Sequence, residues 1–140
     1  MAIFFALILS QTAFAQDLAT LNSSGKNMTV AEFASHTWQA TSTGGGVSHV
    51  AELRFAMQGN KLVGTSIYWP GSNRTAKLAV ESINSKSLVA STLVEQACGQ
   101  SRKIKYEMAF KKRRIALKVS GPKSRCRQGT FQETGKVTRK

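Results

Sequence analysis

His36 and His49 are the only imidazoles in the chain, thirteen residues apart, and the sequence aligns no carboxylates with them. A metal site needs three or four ligands converging on one point, so this pair predicts none. Serines are numerous, yet no G-x-S-x-G elbow and no Ser/His/Asp order is present. Glu52 and Arg54 share one strand face, where an ion pair at the surface is the expected outcome. No catalytic residue and no cofactor is expected, and the reading is of a non-enzymatic binding protein.

Cations dominate the side chains that could still do chemistry. The 140 residues carry 20 Lys plus Arg against 7 Asp plus Glu, a formal charge of +13. The asymmetry is sharper still: residues 1–101 hold 6 basic and 5 acidic groups, whereas 102–140 hold 14 basic and 2 acidic. Lys111, Lys112, Arg113 and Arg114 are consecutive. Arg102, Lys123, Arg125 and Arg127 flank the same segment, and Lys103, Lys105 and Lys118 lie between. Such a set predicts multivalent pairing with an anion, Arg gripping phosphate or carboxylate bidentately and Lys acting as a point charge.

Elements must hold these groups in place. Ile104, Tyr106, Met108 and Phe110 alternate with Lys103, Lys105, Glu107 and Lys111, the period of a half-buried strand. Ile115, Leu117 and Val119 continue the pattern in the next strand. A hairpin of 102–111 and 114–120 puts the four consecutive cations at its tip and Arg102, Lys123, Arg125 and Arg127 at its base, with the three lysines on the outer face. Over about 30 Å this predicts a basic stripe. Cys98 and Cys126 fall at the same base, and a disulfide there would agree with an oxidising compartment; two buried free thiols are the alternative reading.

Turn signals every 12 to 15 residues or so divide the rest into strands at 37–43, 47–57, 61–69, 74–83, 87–95, 102–111, 114–120 and 129–136. The fold expected is all-β, an antiparallel eight-stranded up-and-down barrel, whose closure removes exposed edges. Residues 1–15 (MAIFFALILSQTAFA) have the apolar run and A-x-A-like end of a secretory signal segment, which predicts a periplasmic or secreted protein. Residues 16–28 are expected to be a flexible leader. Thr29-Val30-Ala31-Glu32 is a capping box and predicts a short helix to about Ser35. The single domain is then 29–140.

A short capped helix followed by Thr37-Trp38 at the head of an eight-strand meander resembles the calycin plan of lipocalins and related small barrels. The resemblance implies that Trp38 packs at a closed barrel end. His36 and Thr37 stand where that plan has a glycine, and no C-terminal helix follows.

Two further function classes stay open at this point. A barrel can hold a small hydrophobic ligand, with Trp69, Phe55, Met108 and Phe110 as the candidate contacts and Met57 and Val63 nearby; or a loop can block an acidic enzyme cleft, making the partner an acidic protein. The first expectation is that the basic C-terminal hairpin engages an acidic polysaccharide, lipopolysaccharide or an anionic membrane surface. Nucleic acid is a weaker partner, because export separates the two and Tyr106 faces the core rather than a stacking platform.

Overall fold

The structure is a computed structural model that describes residues 17–67 and 75–140. The expected signal segment 1–15 and Trp69 lie outside the described residues. In chain order the elements are β1 (Asp17–Leu21), β2 (Asn27–Thr29), α1 (Val30–Ala34), β3 (Thr37–Gly44), β4 (Val47–Gln58), β5 (Lys61–Ile67), β6 (Thr75–Ile83), β7 (Ser87–Glu95), β8 (Ser101–Lys111), β9 (Arg114–Pro122) and β10 (Thr130–Arg139).

Strands β3 to β10 form one closed barrel in sequence order, every neighbour antiparallel, with β10 returning to β3. Alternation explains the wall. Ile104, Tyr106, Met108 and Phe110 are buried on β8, and Ile115, Leu117 and Val119 on β9. The tight links follow from turn chemistry: Gly45 and Gly46 both have positive φ, 60° and 80°, which a two-residue hairpin with matching twist requires. Where β10 closes on β3, Gly135 is opposite Ser42, and a Cβ there would collide with the Thr41 carbonyl. Only glycine lets the two strands approach this closely.

One end of the barrel is plugged. The segment expected to be a mobile leader instead forms the hairpin β1–β2, with Leu18 fully buried and Met28 nearly so. Its backbone is tied to two barrel turns, Ala19 N–H donating to Ser85 O (2.6 Å) and Leu21 N–H to Lys112 O (3.0 Å). The expected N-terminal helix reduces to the five-residue turn α1, which inserts Phe33 into the barrel. Phe33 stacks on Trp38 at 4.8 Å and touches Phe55 and Phe110 at 4.9 and 5.8 Å. The Trp38 indole N–H donates to Phe33 O at 2.8 Å.

The cap of α1 is half the expected box. Thr29 Oγ1 accepts from Glu32 N–H at 3.1 Å, but the Glu32 carboxylate accepts from Asn22 Nδ2 at 3.0 Å and so fastens the hairpin turn. Thr29 is itself paired with Asp17 in the hairpin, which frees the carboxylate for this role. Thr29→Ala is expected to lower stability by about 1 kcal/mol in chemical denaturation, with the barrel intact; an unchanged midpoint would mean that the cap adds nothing.

Candidate functional site

The two ends of the C-terminal hairpin lie at opposite ends of the barrel. Lys111 pairs with Arg114 across the two-residue tip, beside the plug. At the other end, Arg102, Lys123, Arg125 and Arg127 come together around an opening between β3, β4, β8, β9 and β10. Behind them is a cavity of about 760 Å³ walled by Ala40, Ala51, Tyr106, Leu117 and Val119, with Phe131 nearer the mouth.

Alternation alone places Arg102 here. It has the parity of Ile104 and Tyr106 and therefore points inward, not onto the outer stripe. Its guanidinium lies 5.2 Å over the Phe131 ring, the geometry of a cation–π contact. Its Nε is buried without a hydrogen-bond partner among the described residues. A buried donor left in that state is costly.

The loop 123–129 carries the other three cations. Arg125 and Cys126 both adopt left-handed backbone, φ 59° and 53°, a conformation that side chains with a Cβ disfavour by about 1–2 kcal/mol each. Three ties hold it. Cys126 is joined by a disulfide to Cys98 (Cα–Cα 6.6 Å), Cys126 N–H donates to Gln96 Oε1 at 3.1 Å, and Arg127 Nε donates to Ser124 O at 3.2 Å. Strain of this kind persists where surrounding structure over-determines it, and here it displays Arg125 and Arg127 at the rim.

Among the described residues, Glu133 is the one carboxylate lining the cavity, against four cations. It accepts from Ser42 Oγ at 2.7 Å and faces His49 Nδ1 at 2.9 Å. The carboxylate thus sits between hydroxyl and imidazole, whereas a hydrolytic triad needs the imidazole in the middle. Its charge is engaged by these neighbours, so the rim cations remain the dominant field at the mouth. Among the described residues, no group of three or more His, Cys, Asp or Glu could hold a metal ion.

The outer stripe is interrupted. Lys103 pairs with Glu81 at 2.7 Å and Lys105 with Glu107 at 3.2 Å, while Lys118 lies opposite Glu107 in register. Cations therefore collect at the two ends rather than along the length. Glu81, which also accepts from Ser91 Oγ at 2.9 Å, is held below the usual carboxyl value by Lys103 first and Ser91 second. Glu52 is lowered mainly by its hydrogen bond to Lys140, with help from Arg54, its expected surface partner, at 2.9 Å. A carboxyl with a lowered folded-state pKa contributes stability above its unfolded value, here 4.5, and loses it as pH falls through the folded value. The melting temperature should therefore decline as pH falls below 4.5. Glu81→Gln should shrink the decline, and an identical acid limb in that variant would contradict the assignment.

The candidate ligand contacts Phe55, Met108 and Phe110 do not line the cavity. They face inward as expected but lie toward the plugged end, where all three are buried in the core and Phe33 packs on the two phenylalanines. Val63 is also displaced: Leu62, Gly64 and Ser66 are the buried positions of β5, so Val63 has the outward parity. The residues that sequence reasoning passes over are Ser42, Phe131 and Glu133, and His49 is weighed there only as a metal ligand, although the parity of Ala51 and Leu53 places His49 inside and that of Val137 does the same for Glu133. No helix among the described residues is long and apolar enough to cross a membrane. Compared with known protein families, characterised proteins and solved structures, the chain matches none.

Proposed function

We propose that this is a non-enzymatic binding protein whose barrel mouth takes an amphipathic anion, the apolar part entering the cavity and the acidic head meeting the rim cations. The observation that carries the reading is an apolar-walled cavity of about 760 Å³ opening through four cations and one engaged carboxylate. Its size falls in the range of small-molecule sites, about 300–1,000 Å³. Arg102 is the primary head-group ligand, because its stacking on Phe131 fixes the fork and its Nε lacks an acceptor. Arg125, Arg127 and Lys123 supply the surrounding positive field. Tyr106, Leu117 and Val119 receive the tail.

A calycin-like plan, closed at Trp38 and open at the far end, belongs to this proposal, as does export to an oxidising compartment, which the disulfide supports. The alternative of an acidic polymer lying along the C-terminal hairpin draws support only from the two end clusters, since Glu81 and Glu107 break the stripe between them. The test is calorimetric titration with dodecanoate and with its methyl ester. Saturable one-to-one binding of the acid and weak binding of the ester support the mouth as an amphipath site. Equal binding of both would remove the role of the cations, and binding of neither would remove the cavity.

A further inference from the structure

A second concave site lies at the plugged end, where the buried residues Met28, Trp38, Ile115 and Val137 form its floor. The hairpin β1–β2, the start of β9 and the end of β10 enclose a groove of about 540 Å³. Its charged lining is entirely cationic: Arg113, Arg114, Lys136 and Arg139, with Asn22 and Ser23 on the hairpin side. Arg113, Arg114 and Lys136 are exposed and pair with no carboxylate among the described residues; Arg139 reaches only His36 Nε2, at 3.4 Å. The plug carries two acids, Asp17 and Glu32; neither lines the groove, and Glu32 is occupied by Asn22 and Thr29.

Like charges brought together by folding repel one another, so four uncompensated cations around a concavity store a preference for a multiply charged anion. The groove is anchored on its hairpin side. Leu21 N–H bonds Lys112 O, and Asn22 Oδ1 accepts from Ser24 and Lys26 N–H at 2.9 and 3.2 Å, which fixes the hairpin turn against the tip of β8–β9. Three guanidinium forks and an ammonium around a fixed wall suit a tetrahedral oxyanion with several acceptor oxygens better than a single carboxylate.

We infer that this groove is a second anion site, independent of the barrel mouth, that binds a phosphate group of a phosphomonoester or pyrophosphate type. That group can belong to a soluble compound or to a lipid headgroup, and the two sources are separable.

The experiment titrates the folded chain with inorganic pyrophosphate and, in parallel, measures co-flotation with phosphatidylcholine vesicles containing phosphatidic acid. The variant Arg113→Gln/Arg114→Gln/Lys136→Gln removes three exposed cations of the groove. A control, Lys61→Gln/Lys77→Gln/Lys86→Gln, removes the same charge elsewhere. The expected result is one-to-one pyrophosphate binding that falls about 30-fold or more in the groove variant and about 3-fold or less in the control, with Arg102→Met unaffected. Vesicle binding with the same variant dependence but no pyrophosphate binding supports the site with a lipid source. Equal losses in the groove variant and the control, or no binding of either probe, would overturn the inference. Thermal melts of both triple variants verify that the barrel is folded, and if the groove variant fails that check, Lys136→Gln alone, expected to lose about 3-fold where Lys77→Gln loses nothing, decides the matter.

Discussion

Arg102→Met will weaken dodecanoate binding about 10- to 100-fold, the range of one lost charge-assisted hydrogen-bonding group, and leave the unfolding midpoint unchanged or raised. The two effects have separate causes. Arg102 stacks on Phe131 and buries an Nε that no described residue satisfies, so the folded protein gains little from the guanidinium, while a ligand carboxylate gains a two-pronged donor. Methionine keeps a flexible apolar stem against the ring and removes the orphan donor. Affinity and stability should therefore move in different directions. A variant that binds normally would show that the anion, if any, is held by the loop alone; a variant that unfolds would assign Arg102 to the core.

Cys98→Ser/Cys126→Ser will cost about 3–4 kcal/mol of stability, the chain-entropy value for a crosslink spanning 28 residues, and will also weaken dodecanoate binding. The first loss follows from the unfolded chain gaining freedom. The second follows from the rim: with the bond gone, Arg125 and Cys126 are held in left-handed backbone by the Gln96 and Ser124 contacts and the Lys123 N–H bond to Gly129 O across the loop base, and relaxation of that strain withdraws Arg125 and Arg127 from the mouth. The ladders β7–β8 and β8–β9 pair over nine and seven residues, so the barrel wall does not depend on the crosslink. Denaturation midpoints and calorimetry on the same sample separate the two effects. Lower stability with full affinity would mean that the disulfide holds the wall and leaves the rim unaffected.

Much of the barrel was legible because its strands obey a strict period of two. On β8 and β9 the apolar parity, the tip between Lys111 and Arg114 and the meeting of Cys98 with Cys126 all follow from one register. β7 was legible in extent, 87–95, but not in which face is inward: Leu88, Ala90 and Thr92 are the regularly alternating buried positions, while Val89 and the exposed Leu93 stand on the other parity, so apolar residues mark both faces. The N-terminal hairpin was not legible either. Three- and five-residue strands have little local signal, and β1–β2 is stabilised by bonds to Ser85 and Lys112, partners more than sixty residues away.

The site was half legible. Charge counting and the hairpin register separate the tip cations from those at the base, but the break in the stripe between them depends on Glu81 pairing with Lys103 from a neighbouring part of the wall and on Glu107 pairing with Lys105. Parity also says which residues point inward without saying how deep they sit. Phe55, Met108 and Phe110 share the inward face with Tyr106, yet Phe33 fills their end and leaves the cavity to Tyr106, Leu117 and Val119. Arg102 and Glu133 lie on core-facing parity in the sequence itself, and a charged residue at such a position is a stronger pointer to a site than the run of four exposed cations.

The most direct measurement is backbone and methyl chemical-shift mapping of the folded protein titrated with dodecanoate. The account predicts shifts at Leu117, Val119 and Ala51 methyls and at the Arg102, Lys123 and Arg125 amides, with Lys112, Arg113 and the plug around Leu18 unmoved. Shifts concentrated at the hairpin tip, or spread along Lys103, Lys105 and Lys118 on the outer wall, would contradict it and return the function to the basic exterior.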